Sequence, residues 1–258
     1  MDTDVLQIAS DYVSRGAPCA LCTVVRASGS VPRHAGSKLL VDREGAIVAG
    51  SVGGGEMESR VLDTARQAIR DGRPKLVSYQ LADPRSGDPG VCGGSVDVFV
   101  EPLLPAPVLV VAGAGHVGRA LAHLARWLGF RVIVSDDRVE LCTPEAFPEA
   151  DAHLAGPLAE QLQRLELDER TYVALVTRGS PLDAAALPLL LSSRAAYIGV
   201  IGSRKRWLET ARALAEAGVG ETELARVHTP IGLEIGAETP EEIAVSIMAE
   251  IIAARHGL

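Results

Sequence analysis

The apolar run Val108-Leu109-Val110-Val111-Ala112 leads directly into Gly113-Ala114-Gly115-His116-Val117-Gly118, and few folds accommodate glycines at that spacing behind a strand. In such a G-x-G-x-x-G the first glycine permits a tight turn and the second lets the backbone approach a pyrophosphate. The third lets a helix pack closely on the strand, so that unpaired N–H groups at the helix N-terminus face an anion. From Arg119 to Phe130, Leu121, Leu124, Ala125 and Leu128 recur at helical spacing, Gly129 suits a C-terminal cap, and Arg131 to Ser135 reads as a second strand. That strand ends in Asp136. An acid about 20 residues after the glycines is placed to accept both hydroxyls of an adenosine ribose. Asp136 and Asp137 both repel a 2′-phosphate, which favours an NAD-like over an NADP-like ligand; Arg138 acts in the opposite direction. The spacing predicts a Rossmann-type βαβ unit. What fills its cleft is a separate question, because fold does not fix function.

A chain of 258 residues with 47% hydrophobic content is long enough for two domains with ordinary cores. Only 3% is aromatic, so those cores are built from Ala, Val, Leu and Ile. A formal charge of −8 without a basic run argues against nucleic acid and against stable attachment to anionic membranes, both of which need clustered Lys and Arg. Met1-Asp2-Thr3-Asp4 does not open a secretion signal, and no apolar run approaches the ~20 residues of a bilayer span. The expected location is cytoplasmic. Four cysteines do not make a disulfide scaffold. Cys19 and Cys22 form a C-x-x-C, but inside the strand-like Pro18 to Val25 they point to opposite faces. A shared zinc or redox role is therefore not expected, nor is any other metal site.

Pro102-Leu103-Leu104-Pro105-Ala106-Pro107 is a stiff connection that sets the expected boundary, residues 1–104 against 105–258. Beyond it, strands at Thr171–Thr177 and Ala196–Ile201 alternate with helices at Leu182–Leu191 and Arg204–Ala217. This is the pattern of a doubly wound parallel sheet, an α/β class. The final helix, Glu241–Arg255, starts behind a Thr239 cap and Pro240. The first half reads as a smaller α+β domain: a helix near Asp4–Val13, strands at Cys19–Ala27, Ser37–Val41 and Ala46–Val52, and a last strand at Ser95–Val100. Its distinctive piece is Gly50-Ser51-Val52-Gly53-Gly54-Gly55-Glu56-Met57-Glu58, which opens an amphipathic helix. Consecutive glycine amides can converge on one anion. A second pair, Cys92-Gly93-Gly94, precedes the last strand, and two such loops at strand ends are positioned to line one cleft.

Gly29-Ser30-Val31-Pro32-Arg33, Gly36-Ser37-Lys38, Ser51 to Gly55, Cys92 to Gly94, Gly113 to Gly118 and Gly202-Ser203-Arg204-Lys205 follow one another in a fixed order. Pro230 to Gly236 and Thr239-Pro240-Glu241-Glu242-Ile243-Ala244 close the chain. In this order the sequence resembles the XdhC/CoxI family, accessory proteins for xanthine dehydrogenase and related molybdenum hydroxylases. The resemblance implies a chaperone that binds the molybdenum cofactor, molybdopterin or its dinucleotide form. It would hold that cofactor during sulfuration, with a cysteine desulfurase as a further partner, and deliver it to an apo-hydroxylase. A homodimer is the expected assembly. The terminal phosphate or pyrophosphate suits the amides of Gly53, Gly54, Gly55, Gly93 and Gly94, with Arg33 or Lys38 as counter-charge. Gly202, Ser203 and Arg204 join the candidate set. Some family members carry Cys directly after the three glycines where Glu56 stands here, which leaves Cys92 as the thiol in a family motif. Many relatives carry His near Ser180, and Thr177-Arg178-Gly179-Ser180 has none.

Two other classes compete. An NAD(P)-dependent oxidoreductase needs a proton donor or acceptor beside the hydride-transfer carbon, and no Tyr-x-x-x-Lys pair exists among lysines 38, 75 and 205; no catalytic residue is assigned. His116, in the glycine turn, and His228, before Thr229-Pro230, are the histidines nearest to candidate elements. A nucleotide-sensing regulatory protein would bind nucleotide without turnover.

Overall fold

The computed structural model describes residues 2–80 and 94–258, with side chains from Asp4 onward at the N-terminus. Cys92 and Gly93 lie outside the described residues. The chain divides into two compact units, Met1–Pro105 and Ala106–Leu258.

The first unit is a five-stranded antiparallel sheet. β1 (Cys19–Ser28) lies at its centre between β2 (Lys38–Asp42) and β5 (Ser95–Leu103), with β3 (Ile47–Gly50) and β4 (Lys75–Gln80) at the edges. Alternation along β1 explains how both faces are covered. Ala20, Cys22 and Val24 turn toward Met57, Val61, Ala65 and Ala68 of α2 (Gly55–Asp71). Cys19 and Leu21 pack with Val5 and Ala9 of α1 (Asp2–Ser14). The two cysteines therefore stand on opposite faces, as their spacing demands. Burial pushes the Cys19 thiol up to about 11 and that of Cys22 up to about 12.

The second unit is a six-stranded parallel sheet made of β6 (Val108–Ala112), β7 (Arg131–Asp136), β8 (Ala152–Ala155), β9 (Thr171–Leu175), β10 (Tyr197–Val200) and β11 (Val227–His228). Its spatial order is β11-β10-β9-β6-β7-β8. Counted from the first strand of the unit this is 3-2-1-4-5-6, the doubly wound Rossmann order, whose crevice opens where β6 and β9 send their chains to opposite faces. Residues Leu109, Val111, Val132 and Val134 pack with α3 (His116–Trp127) and α8 (Pro240–His256). Val110, Ala112, Val173 and Leu175 face the other layer, formed by α4 (Leu158–Leu162), α5 (Ser180–Ser192) and α6 (Arg204–Glu216). A short α7 (Glu221–Leu224) precedes β11.

Element ends differ from the sequence reading for local reasons. α3 starts at His116 rather than Arg119 and stops at Trp127, because Gly129 takes a left-handed φ of 83° while Phe130 N–H reaches back to Ala125 O. β9 stops at Leu175, where the chain turns over the glycines of the β6–α3 turn. The cap of α8 is as expected: Thr239 Oγ1 accepts from Glu242 N–H while the Glu242 carboxylate accepts from Thr239 N–H.

Candidate functional site

The β6–α3 turn distributes three tasks over its three glycines. Gly113 has φ 128°, and a Cβ there would stand 2.4 Å from Val176 O. At Gly118 a Cβ would stand 1.9 Å from Gly113 O, so α3 seats on the turn only because no side chain intervenes. Gly115 differs: φ is −81° and nothing lies within 4 Å of a Cβ built on it. Glycine at 115 thus leaves space outside the protein, a cradle that a side chain would fill. Gly115 caps α3 with no side-chain bond and the first turn holds no acid. The leading N–H groups, His116 and Val117 among them, are the orphan donors of the helix end. His116 is exposed there.

The acids meet a different fate from the one their position suggests. Asp136 is almost fully buried, its side chain 3% exposed. Its Oδ1 accepts from Arg138 N–H (2.8 Å) and Arg138 Nε (2.9 Å), and its Oδ2 accepts from Ala114 N–H (2.6 Å) and Arg138 Nη2 (2.8 Å). A carboxylate offers about four lone-pair sites, and all are taken. The carboxylate expected to receive a ribose diol thus has its acceptor capacity engaged by its own chain in this structure. Burial alone would raise its pKa, but the bonds from Arg138 and Ala114 hold it far below the usual carboxylate range. Asp137, expected to repel a 2′-phosphate, is gripped bidentately by Arg178, Nη1–Oδ1 2.5 Å and Nη2–Oδ2 2.6 Å, which lowers its pKa in turn. Arg178 follows β9 and Asp137 follows β7, so this ion pair spans the crevice over the end of β6.

Beneath the pair, Gly113, Ser135, Asp136, Asp137, Thr177 and Arg178 line a small cleft open to solvent. Its β9 wall is rigid. Asp183, fully buried, accepts from Thr177 Oγ1 (2.6 Å) and from Arg206 Nη2 (2.5 Å), while Arg206 Nη2 also donates to Thr177 Oγ1 (2.9 Å). Of the expected Gly202-Ser203-Arg204 group, Gly202 has φ 139° and packs under Arg206, and Ser203 caps α6 by accepting from Arg206 N–H. Arg204 is exposed. Arg206, three residues past a serine cap, is the one that reaches the cleft wall. His228 lies on β11 and bonds Glu250 (3.2 Å), whose other oxygen takes Tyr197 OH (2.5 Å) and Gly232 N–H (2.6 Å). This cluster fastens the Pro230–Gly236 loop to α8.

In the first unit the β3–α2 turn is occupied from within. Glu58 Oε2 accepts from Ser51 Oγ (2.8 Å), Val52 N–H (3.2 Å) and Gly54 N–H (3.3 Å), and Gly53 N–H donates to Ser51 Oγ (3.2 Å). Sequence reasoning misses Glu58, one helical turn into α2, because Glu56 stands next to the glycines; Glu56 is exposed and pairs with Arg60. The outer sides of Gly54 and Gly55 are open. Gly53 abuts Pro32, and a Cβ at Gly94 would stand 2.5 Å from Ser28 O and 2.6 Å from Ser30 O. The segments 28–32, 51–55 and Gly94 thus share one end of the sheet. Arg33 is exposed and has no ion pair among the described residues, whereas Lys38 Nζ donates to Gly36 O (3.2 Å). Among the described residues no group of three His, Cys, Asp or Glu is placed to hold a metal, and no helix is long and apolar enough to cross a membrane.

Comparison with known proteins adds lineage to this geometry. The model of the XdhC Rossmann domain matches residues 109–251, and that of the XdhC and CoxI family matches residues 12–80. The Escherichia coli K12 protein YqeB is 36% identical over 252 residues, 96% of this chain and 46% of its own. A probable xanthine dehydrogenase subunit of Bacillus subtilis 168 is 36% identical over 161 residues, 62% of this chain and 47% of its own. The molybdenum cofactor insertion chaperone PaoD of Escherichia coli K12 is 23% identical over 283 residues, 97% of this chain and 88% of its own. The chain thus spans about half the length of the first two relatives.

Proposed function

Because the chain belongs to the XdhC/CoxI family, we propose that it is a maturation factor that binds the molybdenum cofactor and hands it to a molybdenum hydroxylase such as xanthine dehydrogenase. The observation that carries this reading is the similarity to an insertion chaperone along 97% of the chain. Sulfuration of the bound cofactor, a cysteine desulfurase as donor, a homodimer and a cytoplasmic location complete the proposal.

The β6–α3 turn fits the phosphate-bearing end of such a ligand. Gly115 leaves open space, no acid of the first turn competes, and the amides of His116 and Val117 are available donors. When bound, the cofactor supplies the redox-active molybdenum of the hydroxylase; the residues of this chain hold and orient it. Gly113 and Gly118 keep the turn tight, and Thr177, pinned by Asp183 and Arg206, fixes the opposite wall. The β3–α2 turn fits less well, because Glu58 already uses the Val52 and Gly54 amides and would repel a phosphate.

The test is retention and transfer. The full chain is mixed with molybdenum cofactor, passed through gel filtration with pterin fluorescence as readout, and then added to apo-hydroxylase. Co-elution followed by gain of hydroxylase activity is expected. No retention, with tight NAD binding instead, would replace this reading with nucleotide sensing, which the 3-2-1-4-5-6 strand order and the open Gly115 also favour.

A further inference from the structure

The corner of the Rossmann crevice where an acid ordinarily receives a ribose is built in this chain from arginines. Asp136 has all its lone pairs engaged and Asp137 is clamped. What the corner presents outward is therefore guanidinium. A guanidinium has five N–H donors. Arg138 uses its Nε–H and one on Nη2 for Asp136, and Arg178 uses one on each Nη for Asp137, which leaves three on each. Both lie near one oxygen, Asp136 Oδ1 being 2.9 Å from Arg138 Nε and 4.0 Å from Arg178 Nη1. Neither side chain is sealed, with 35% and 49% exposed. Arg138 is fixed by its buried partner, and Arg178 leaves a wall that Thr177, Asp183 and Arg206 hold rigid.

The geometry points to a phosphate-reading corner: Arg138 and Arg178 together take a phosphomonoester of the ligand, in preference to a free diol, with Asp137 as the place-holder that Arg178 gives up. This rests on the reading of the crevice as the ligand cleft. It also reverses the NAD-over-NADP preference expected from the two acids: Asp136 stays neutralised by Arg138, while Arg178 exchanges Asp137 for the phosphate. Planar, bidentate recognition of phosphate is the task for which a pre-set guanidinium is suited.

Two sources of that phosphate are separable. Calorimetry on the full chain would compare ADP-ribose with 2′-phospho-ADP-ribose. It would also compare the stable fluorescent pterin obtained by oxidising molybdopterin with the same pterin after phosphate removal. In at least one pair the phosphate should tighten binding about ten-fold or more, the scale of one charge-assisted bond. Arg178→Ala, at an exposed position, should keep the fold and reduce that ratio to near one, and Arg178→Lys should restore part of it. The responding pair identifies the source. A ratio near one in both pairs, no binding of any of the four probes at millimolar concentration, or a ratio untouched by Arg178→Ala would overturn the proposal. A response confined to the nucleotide pair keeps the arginine corner and counts against the cofactor reading. Cofactor retention without any phosphate contribution does the reverse.

Discussion

Two strand-to-helix turns of this chain are rich in glycine, and they use it for opposite ends. At β3–α2 the glycines let the backbone wrap a carboxylate of the chain itself, Glu58, which collects Ser51 Oγ and the amides of Val52 and Gly54. At β6–α3 the nearest carboxylate, Asp136, takes only the Ala114 amide and turns its remaining capacity to Arg138, so the end of α3 stays uncapped. One turn is closed on itself and the other is open. Counting glycines cannot tell these cases apart; following each N–H to its acceptor does.

The largest effect that would test this contrast is at the base of the open turn. Gly118→Ala places a Cβ 1.9 Å from Gly113 O. Backbone has to move, and the expected loss of stability is about 3 kcal/mol, read by urea denaturation. A loss under ~0.5 kcal/mol, the ordinary range for surface changes, would mean that α3 does not sit on the turn as described. Next comes Glu58→Ala, which strips the closed turn of its acceptor; leaving part-buried N–H groups unpaired costs about 2 kcal/mol, and Glu58→Gln should cost less. Should Glu58→Ala instead leave stability unchanged and create tight phosphate binding in the first unit, the closed turn would be a ligand site and the comparison would fail.

A pH titration sharpens the other side. Hydrogen bonds to Asp136 hold its folded pKa well below that of the unfolded chain, which is about 3.9. A depressed carboxylate contributes stability that is complete above the unfolded value and is lost as pH falls through it toward the folded one. Unfolding free energy should therefore decline below about pH 5, and Asp136→Asn should remove part of that slope. Identical acid profiles for the two proteins would show that Arg138 and Ala114 do not hold the carboxylate.

Much of this is legible locally. A strand, three glycines and a helix within eleven residues, or two cysteines three apart in a strand, follow from periods of 2 and 3.6. The parts that are not legible depend on partners distant in sequence. Arg178 and Asp137 are 41 residues apart, and nothing in Thr177-Arg178-Gly179 announces that its side chain spans the crevice. β4 has no clear sequence signal because, as an edge strand, it buries only Tyr79 and leaves Leu76 exposed. Glu56 draws attention away from Glu58 because adjacency to glycine is visible in a sequence, whereas the turn that brings the later residue back is made by positive-φ Gly54 and Gly55. The fold is written in periodicity; the site depends on which donor meets which acceptor.

The smallest expected effect on stability is also the most discriminating. Gly115 and Gly54 both face open space, so a side chain clashes with nothing at either. They differ in backbone: Gly115 has φ −81°, which any residue adopts, while Gly54 has φ 78° with ψ −178°, an extended positive-φ conformation open essentially only to glycine that costs an L-residue roughly 1–3 kcal/mol. Gly54→Ala should accordingly lower stability by about 2 kcal/mol and leave ligand affinity alone. Gly115→Val should hold stability within about 0.5 kcal/mol yet weaken a phosphate-bearing ligand ten-fold or more, because its side chain occupies the space a phosphate needs to reach the α3 amides. Calorimetry beside thermal unfolding separates the two readouts in each variant. Unchanged affinity in Gly115→Val would remove the open turn from the binding site and leave the two glycine turns alike in function, differing only in how each is filled.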